Sequence, residues 1–391
     1  MDRARQAGET RVMKVLIAVT HLLGTGHLSR ALTLGRAFSR LGHAVTVISG
    51  GFPAPQLSLE SVQIEQLPPL RSDGVAFTRL LGEGGEVADE AYLARRVHQL
   101  ETVVQAREPD VLITELYPFG RRALRAEFRA LLEAAKALPR PPLILSSIRD
   151  ILAPPSKPQK AVDADAMIER YYDGVLVHSD PKATRLEVSW PVSDMLAAKL
   201  HYTGYVAPPA AAPHPDGVGK GEILVSAGGG SVGDALYACA IEAAKEMPDY
   251  SWRILVGGAD AAARIAELHD PSSPASLEPA RSDFRAMLPH AAASVSMCGY
   301  NTALDLLQSG TPAVLVPFDA GKEVEQTLRA KSLSPLPGFE VEAAATLTPA
   351  RLATALRRVM QDTQRSLDGF EFDGAGQSVE IAATLLRGQR A

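Results

Sequence analysis

KVLIAVTHLLGTGHLSRALTLGRAFSRLGHAVTVIS, residues 14–49, sets the class of fold. Lys14–Val19 is a short β-branched apolar run, and the glycine-bearing loop Thr20–His27 follows it. Leu28–Leu41 then carries a helical apolar period closed by Gly42, and Ala44–Ser49 is a second run of strand length. Further strand candidates are Val62–Gln66, Val111–Thr114, Leu143–Ser147, Gly174–Val177 and His201–Thr203, with helical stretches at Ala88–Gln105 and Arg121–Leu138. Strands alternating with helices predict an α/β fold whose parallel sheet is covered on both faces.

The pattern begins again at Glu222–Ser226, with a glycine loop at Ala227–Gly233 and a helix to about Met247. Trp252–Val256, Ser294–Met297, a helix from Thr302 and Ala313–Pro317 continue it. A chain of 391 residues exceeds what one core usually serves. The expected division is an extension at 1–12, an N-terminal Rossmann-like domain at 13–206 and a Pro/Gly/Ala-rich linker at 207–220. A C-terminal domain at 221–375 and a terminal helix within 376–391 complete it. Residues 1–12 are polar and lack the apolar stretch of a signal peptide, so disorder or a start codon chosen too far upstream is expected there. Hydrophobic residues are 46% and charged residues 22% of the chain, without an apolar run of the roughly 20 residues that span a bilayer. A net charge of −5 gives no global attraction to nucleic acid, and two cysteines, Cys239 and Cys298, suit a reducing cytoplasm.

Three loops carry chemistry. In Gly24-Thr25-Gly26-His27 small residues permit a tight turn and leave amides at a positive helix end. His27 at its mouth suits a general base or a donor to a leaving oxygen; glycines packing a strand on a helix, with a histidine cap, give the same pattern. Gly228-Gly229-Gly230-Ser231-Val232-Gly233 suits close approach of a diphosphate. It lacks the Lys-Ser/Thr of a Walker loop, and neither loop is a strict dinucleotide fingerprint, which disfavours ATP hydrolysis and dehydrogenation. In Ser296–Asp305 (SMCGYNTALD), Gly299 opens a helix bearing Asn301, Thr302 and Asp305, and Glu325-Gln326 follows the next strand. These pieces together could hold a pyrophosphate, a ribose and a hexose, or be a solvated helix and a surface pair. No Asp-x-Asp metal site stands in a loop, since Asp163-Ala164-Asp165 falls in a predicted helix, so no metal is expected.

Gly26-His27, Leu41–Val47 (LGHAVTV), Gly229-Gly230-Ser231 and the stretch from Gly299 to Gln326 resemble family 28 glycosyltransferases, which include the enzyme adding N-acetylglucosamine to lipid I. The resemblance runs from about Met13 to Leu386. It is nearest to a branch of predicted bacterial glycosyltransferases sharing stretches like Ile113–Arg122 (ITELYPFGRR) and Tyr202–Val206. It implies the GT-B architecture, two Rossmann-like doubly wound domains facing a cleft, and a UDP-sugar held mainly by the C-terminal domain. On matching positions Asp305 stands for a ribose-binding Glu, and Glu325-Gln326 for a Gln-Gln pair touching the donor sugar. Ser231 and its glycines meet the diphosphate, and His27 lies near the acceptor or anomeric carbon. Asp305 is one methylene shorter than Glu, and Glu325 brings charge where the family has an amide.

In the N-terminal half Glu115, Arg121-Arg122, Arg149-Asp150 and His178-Ser179-Asp180 lie at or after predicted strand ends, where open α/β sheets place ligands. With Gly26 they are acceptor-side candidates; surface ion pairing explains the arginine pair equally well. The expected reaction is metal-independent, inverting transfer of a hexose or N-acetylhexosamine from a UDP-sugar, with no cofactor. His27 is its base, and Glu115 or Asp150 its second candidate. UDP-sugar hydrolysis, 2-epimerisation and nucleotide-sugar binding without turnover stay open. The acceptor is a small molecule, glycan or lipid. A cytoplasmic place is expected, peripheral to the inner membrane face if the acceptor is a lipid, for which Phe77–Leu81 is an apolar candidate.

Overall fold

Apolar runs of strand length become strands buried on both faces, as parallel sheets under helices require. The structure, a computed structural model, describes residues 12–22, 25–73, 79–228, 232–319, 324–361 and 369–390. Contacts divide it into two units, each with its own core. The first takes the chain up to Ser179, Trp190–Val206 and the segment from Asp373; the second takes Asp180–Ser189 and Ala207–Phe372.

The first unit contains β1 (Lys14–Val19), β2 (Ala44–Gly51), β3 (Gln63–Ser72), β4 (Leu80–Leu81), β5 (Val111–Glu115), β6 (Leu143–Arg149), β7 (Gly174–His178) and β8 (Leu200–Tyr202). They form one sheet in the order β4-β3-β2-β1-β5-β6-β7-β8, parallel except for the β3–β4 edge. Its helices are α1 (Gly26–Arg40), α2 (Glu90–Arg107), α3 (Arg125–Lys136), α4 (Gln159–Tyr171) and the short α5 (Asp194–Ala197). The C-terminal helix, Gly374–Arg390, packs on α1 and β6 and buries Val379, Ala382 and Leu386 in the core of Ile17, Phe38 and Ile113. The chain runs outward from β1 and then crosses to its other side as β5, so the strand order reverses between β1 and β5. In open α/β sheets the loops diverge at such a reversal, which is where ligands bind.

The second unit contains β9 (Glu222–Ser226), β10 (Ser251–Val256), β11 (Ala275–Pro279), β12 (Ala293–Ser296), β13 (Ala313–Leu315) and β14 (Phe339–Val341). Every pairing is parallel in the order β11-β10-β9-β12-β13-β14, so the reversal falls between β9 and β12. Its helices are α6 (Asp234–Glu246), α7 (Ala261–Leu268), α8 (Phe284–Met287), α9 (Tyr300–Ser309), α10 (Glu325–Leu333) and α11 (Pro349–Gln361). Composition makes residues 207–220 look like a linker, yet they are tied to this unit. Arg285 and Gln308 donate to the Pro209 and Pro208 carbonyls at 3.0 and 2.9 Å, and His214 meets Asp283 at 3.1 Å. Among the described residues no helix is long and apolar enough to cross a membrane.

Candidate active site

In the first unit, Glu115 ends β5 at the order reversal, and the turn after it is tied down from three sides. The Tyr117 carbonyl accepts from Thr114 Oγ1 at 3.0 Å, Ser146 Oγ at 2.8 Å and Tyr172 Oη at 3.3 Å. The Tyr117 ring stacks on Phe128 at 4.6 Å, and Phe119 meets Trp190 edge-on at 5.2 Å. Leu116 and Arg121 hold left-handed backbone, φ 66° and 59°. This costs roughly 1–2 kcal/mol per residue for an L side chain and is held only because the surroundings over-determine it. Glu115 is thus delivered by a rigid element.

The Glu115 carboxylate, 1% exposed, faces the first turn of α1. His27 Nδ1 lies 2.9 Å from Oε1, and Arg30 Nη2 donates to the same oxygen. Since a carboxylate only accepts, Nδ1 carries the proton and Nε2 is left as the basic nitrogen. The 3.1 Å approach of Arg30 Nη2 to Nδ1 is then a contact of two donors that share Glu115. Burial lowers the His27 pKa to about 4, opposed by Glu115 and reinforced by Arg30 and Arg121, so the imidazole is neutral at pH 7. Burial alone would raise Glu115; Arg30 first, then His27, overcomes it and holds the carboxylate ionised. A neutral imidazole held through Nδ1 by a carboxylate can accept a proton at Nε2, the chemistry a general base needs.

Behind Glu115 the polar chain continues. Ser147 Oγ donates to Glu115 Oε2 at 2.7 Å and meets His178 Nε2 at 2.9 Å, while His178 Nδ1 meets Thr203 Oγ1 at 2.9 Å. Sequence signals did not single out Ser147 or Thr203 as part of this cluster; strand pairing places Ser147 opposite Glu115.

The other predicted residues divide. Gly26 opens α1, which has no side-chain cap. Arg121 Nε donates to the Thr20 carbonyl at 2.6 Å, and burial, with repulsion from Arg149 and Arg30, lowers its pKa to about 10 against the pull of Glu115. Arg122 instead lies over the Trp190 ring at 5.9 Å. Asp150 is buried directly after β6, and the described partners of His27 are Glu115 and Arg30.

In the second unit the loop after β9 again sits at the order reversal. Its Gly228 and Gly233 have φ 84° and 107°; Gly229, Gly230 and Ser231 lie outside the described residues. Arg264 of α7 holds the loop's far end, donating to the Val232 carbonyl at 3.2 Å, the Gly257 carbonyl at 2.7 Å and Asp234 at 2.9 Å. Across the reversal Gly299 caps α9 without a side-chain bond to its first-turn amides, a positive end suited to anions. Asn301 is exposed and Thr302 half-buried there. Asp305, further along α9, pairs with Arg285 Nε at 2.5 Å, and Arg285 also donates to Gln308 at 3.0 Å. Burial raises the Asp305 pKa against the pull of Arg285. Gln326 Oε1 accepts from the Phe318 amide at 3.1 Å, and Glu325 pairs with Arg329 at 2.9 Å. Arg329, 1% exposed, also donates to the Cys298 carbonyl at 3.0 Å, tying α10 to the end of β12; nothing in the sequence marks it. Among the described residues no three His, Cys, Asp or Glu side chains converge to hold a metal.

Two parallel α/β units, each with its candidate residues at a strand-order reversal, have the GT-B fold. The chain is similar to MurG of Acinetobacter baumannii at TM-score 0.62 and 16% identity, over 96% of this chain and 99% of that one. A putative UDP-N-acetylglucosamine 2-epimerase from Listeria monocytogenes gives TM-score 0.62 at 12% identity, over 97% and 98%. More particularly, residues 224–369 match the glycosyltransferase family 28 C-terminal domain. A relative from Rhodopseudomonas palustris (strain BisA53), UDP-N-acetylglucosamine--N-acetylmuramyl-(pentapeptide) pyrophosphoryl-undecaprenol N-acetylglucosamine transferase, is 30% identical over 240 residues. That alignment spans 58% of this chain and 62% of the relative's length.

Proposed function

We propose that the protein is an inverting glycosyltransferase that moves a hexose or N-acetylhexosamine from a UDP-sugar to an acceptor hydroxyl without a metal. The observation that carries this reading is the neutral His27 imidazole held through Nδ1 by the ionised Glu115. In the reaction His27 Nε2 takes the acceptor's proton as its oxygen bonds the anomeric carbon, and the bond from that carbon to the UDP oxygen breaks. The leaving diphosphate's charge is assigned to the loop 228–233 and to the α9 start at Gly299–Asn301. Asp305 is assigned to the ribose, and Glu325-Gln326 to the donor sugar. Gly26, Arg121, Arg122 and Arg149 are assigned to the acceptor side, with Asp150 as reserve base.

The family 28 domain match and the activity named for the Rhodopseudomonas palustris relative support a UDP-N-acetylglucosamine donor and a lipid-linked acceptor, and with them a cytoplasmic protein at the inner membrane face. Water in the acceptor's place would make the same dyad a UDP-sugar hydrolase. Thermal unfolding with UDP, TDP, GDP, ADP and NAD in separate wells tests the donor site. A ligand at 100 times its Kd stabilises by about 2.7 kcal/mol. Stabilisation by UDP or TDP alone is expected; stabilisation by NAD alone, or by none, overturns the reading. UDP release without an acceptor then separates hydrolysis from transfer.

A further inference from the structure

The polar chain behind Glu115 is longer than a base and its orienting acid require. Ser147, His178 and Thr203 come from three successive parts of the sheet edge, β6, β7 and the turn after β8, and all three are at most 1% exposed. Buried hydroxyls and imidazoles are costly unless every hydrogen finds an acceptor, so their protons can be counted.

Glu115 is ionised and only accepts; the single Ser147 proton therefore goes to Oε2, 2.7 Å away. His178 Nε2, at 2.9 Å from Ser147 Oγ, must then be the donor to that oxygen. Burial, with Arg30 nearby, lowers the His178 pKa to about 3 despite the opposing charge of Glu115, so the ring is neutral and Nδ1 is bare. Thr203 Oγ1 lies 2.9 Å from Nδ1, and its one proton is shared among Nδ1 and the Gly204 and Val177 carbonyls, at 2.7 and 3.3 Å. His178 and Ser147 thus both donate toward the carboxylate.

We propose that Ser147 and His178 are positioning residues that hold the Glu115 carboxylate in one rotamer and set how strongly it pulls on His27. The role of His27 as base rests on the function proposed above; the coupling itself does not. A hydrogen bond donated to Oε2 draws negative charge away from Oε1, which weakens the hold of Glu115 on the His27 imidazolium. Without that donor the carboxylate stabilises protonated His27 better. The charged groups facing His27 are Glu115, Arg30 and Arg121, with Arg149 beyond Arg121, and of these Glu115 is the one that Ser147 touches.

The test is a pH titration of the His27 ring in the full-length protein labelled with ¹⁵N-histidine, assigned with His27→Gln. The wild-type ring is expected in its Nδ1–H form with a midpoint near 4. Ser147→Ala should raise that midpoint by about one pH unit, and His178→Phe, which removes the donor to Ser147 Oγ, should raise it by less. Ser147→Thr, which keeps the hydroxyl, should restore the wild-type value. An unchanged His27 midpoint in folded Ser147→Ala overturns the proposal. If that variant does not fold, Ser147→Cys, with its weaker donor, carries the same expectation in smaller measure and the same refutation. Sugar transfer is assayed separately, so its absence would count against the function proposed above and not against this coupling.

Discussion

His27 Nε2 is basic because of what holds Nδ1. Glu115 fixes the tautomer, while burial keeps the ring uncharged. If His27 is the base, His27→Ala should lower turnover by about 10²–10⁴-fold with little change in UDP affinity, since a base acts only in the transition state. Unchanged turnover would remove His27 from the mechanism. In that role the depressed pKa sets the expected pH profile: activity should persist from neutrality downward and fall only as pH approaches about 4. A rate falling instead through pH 6.5 would show an imidazole of ordinary basicity. His27 and Glu115 were legible in the sequence because a glycine loop and a strand end are local signals. Ser147 was not, because a serine in an apolar strand acquires meaning only when pairing sets it opposite Glu115.

Elements aim these residues. Both order reversals place a helix start beside a glycine loop, and α9 offers first-turn amides with no capping side chain. Asp305 sits a turn further along α9, fastened by Arg285 of α8. If Asp305 holds the ribose, Asp305→Ala should weaken UDP binding by about 1–3 kcal/mol in a calorimetric titration, and wild-type affinity would end that assignment. Periodicity marked α1, α6 and the central strands, whose buried faces are long enough to repeat. It passed over β11 and β14, edge strands of five and three residues with polar positions among the apolar ones. Their strand character comes from a neighbour already in place, not from their own pattern.

At the scale of the whole molecule, each unit carries its own core, and the first also buries an ion pair. Arg96, 0% exposed, makes two bonds to Glu127 at 2.7 and 2.8 Å, and donates to the Gly50 carbonyl at 2.9 Å and to that of Pro68. Arg96→Met should destabilise the first unit by about 3–5 kcal/mol, because Glu127 would be left buried without its partner. Calorimetric unfolding reads this, and a change below about 1 kcal/mol would contradict it. Acid should act on the same unit. The folded pKa values of His27 and His178, about 4 and about 3, lie below the unfolded value of 6.5. The unfolded chain thus binds more protons between these limits, and stability is lost as pH falls from 6.5 toward them. Glu115, also held low, adds its loss only below its ordinary 4.5. Stability that is flat from pH 6.5 to 4.5 in unfolding titrations would refute the histidine contribution.

The sequence by itself determined the two rounds of strand, glycine loop and helix, and it singled out His27, Glu115 and the segment from Gly299 to Gln326. These are properties of neighbouring residues: an apolar period, a glycine at a turn, an acid where a strand stops. Only the tertiary structure decided that His27 meets a carboxylate 88 positions away, and that Ser147, His178 and Thr203 stand in line behind it. It likewise returned Gly374–Arg390 to the first core and assigned Asp180–Ser189 to the second unit. The reason is that strand order, not chain distance, sets which carboxyl ends are adjacent, and that order is fixed by how helices and strands bury their apolar faces together.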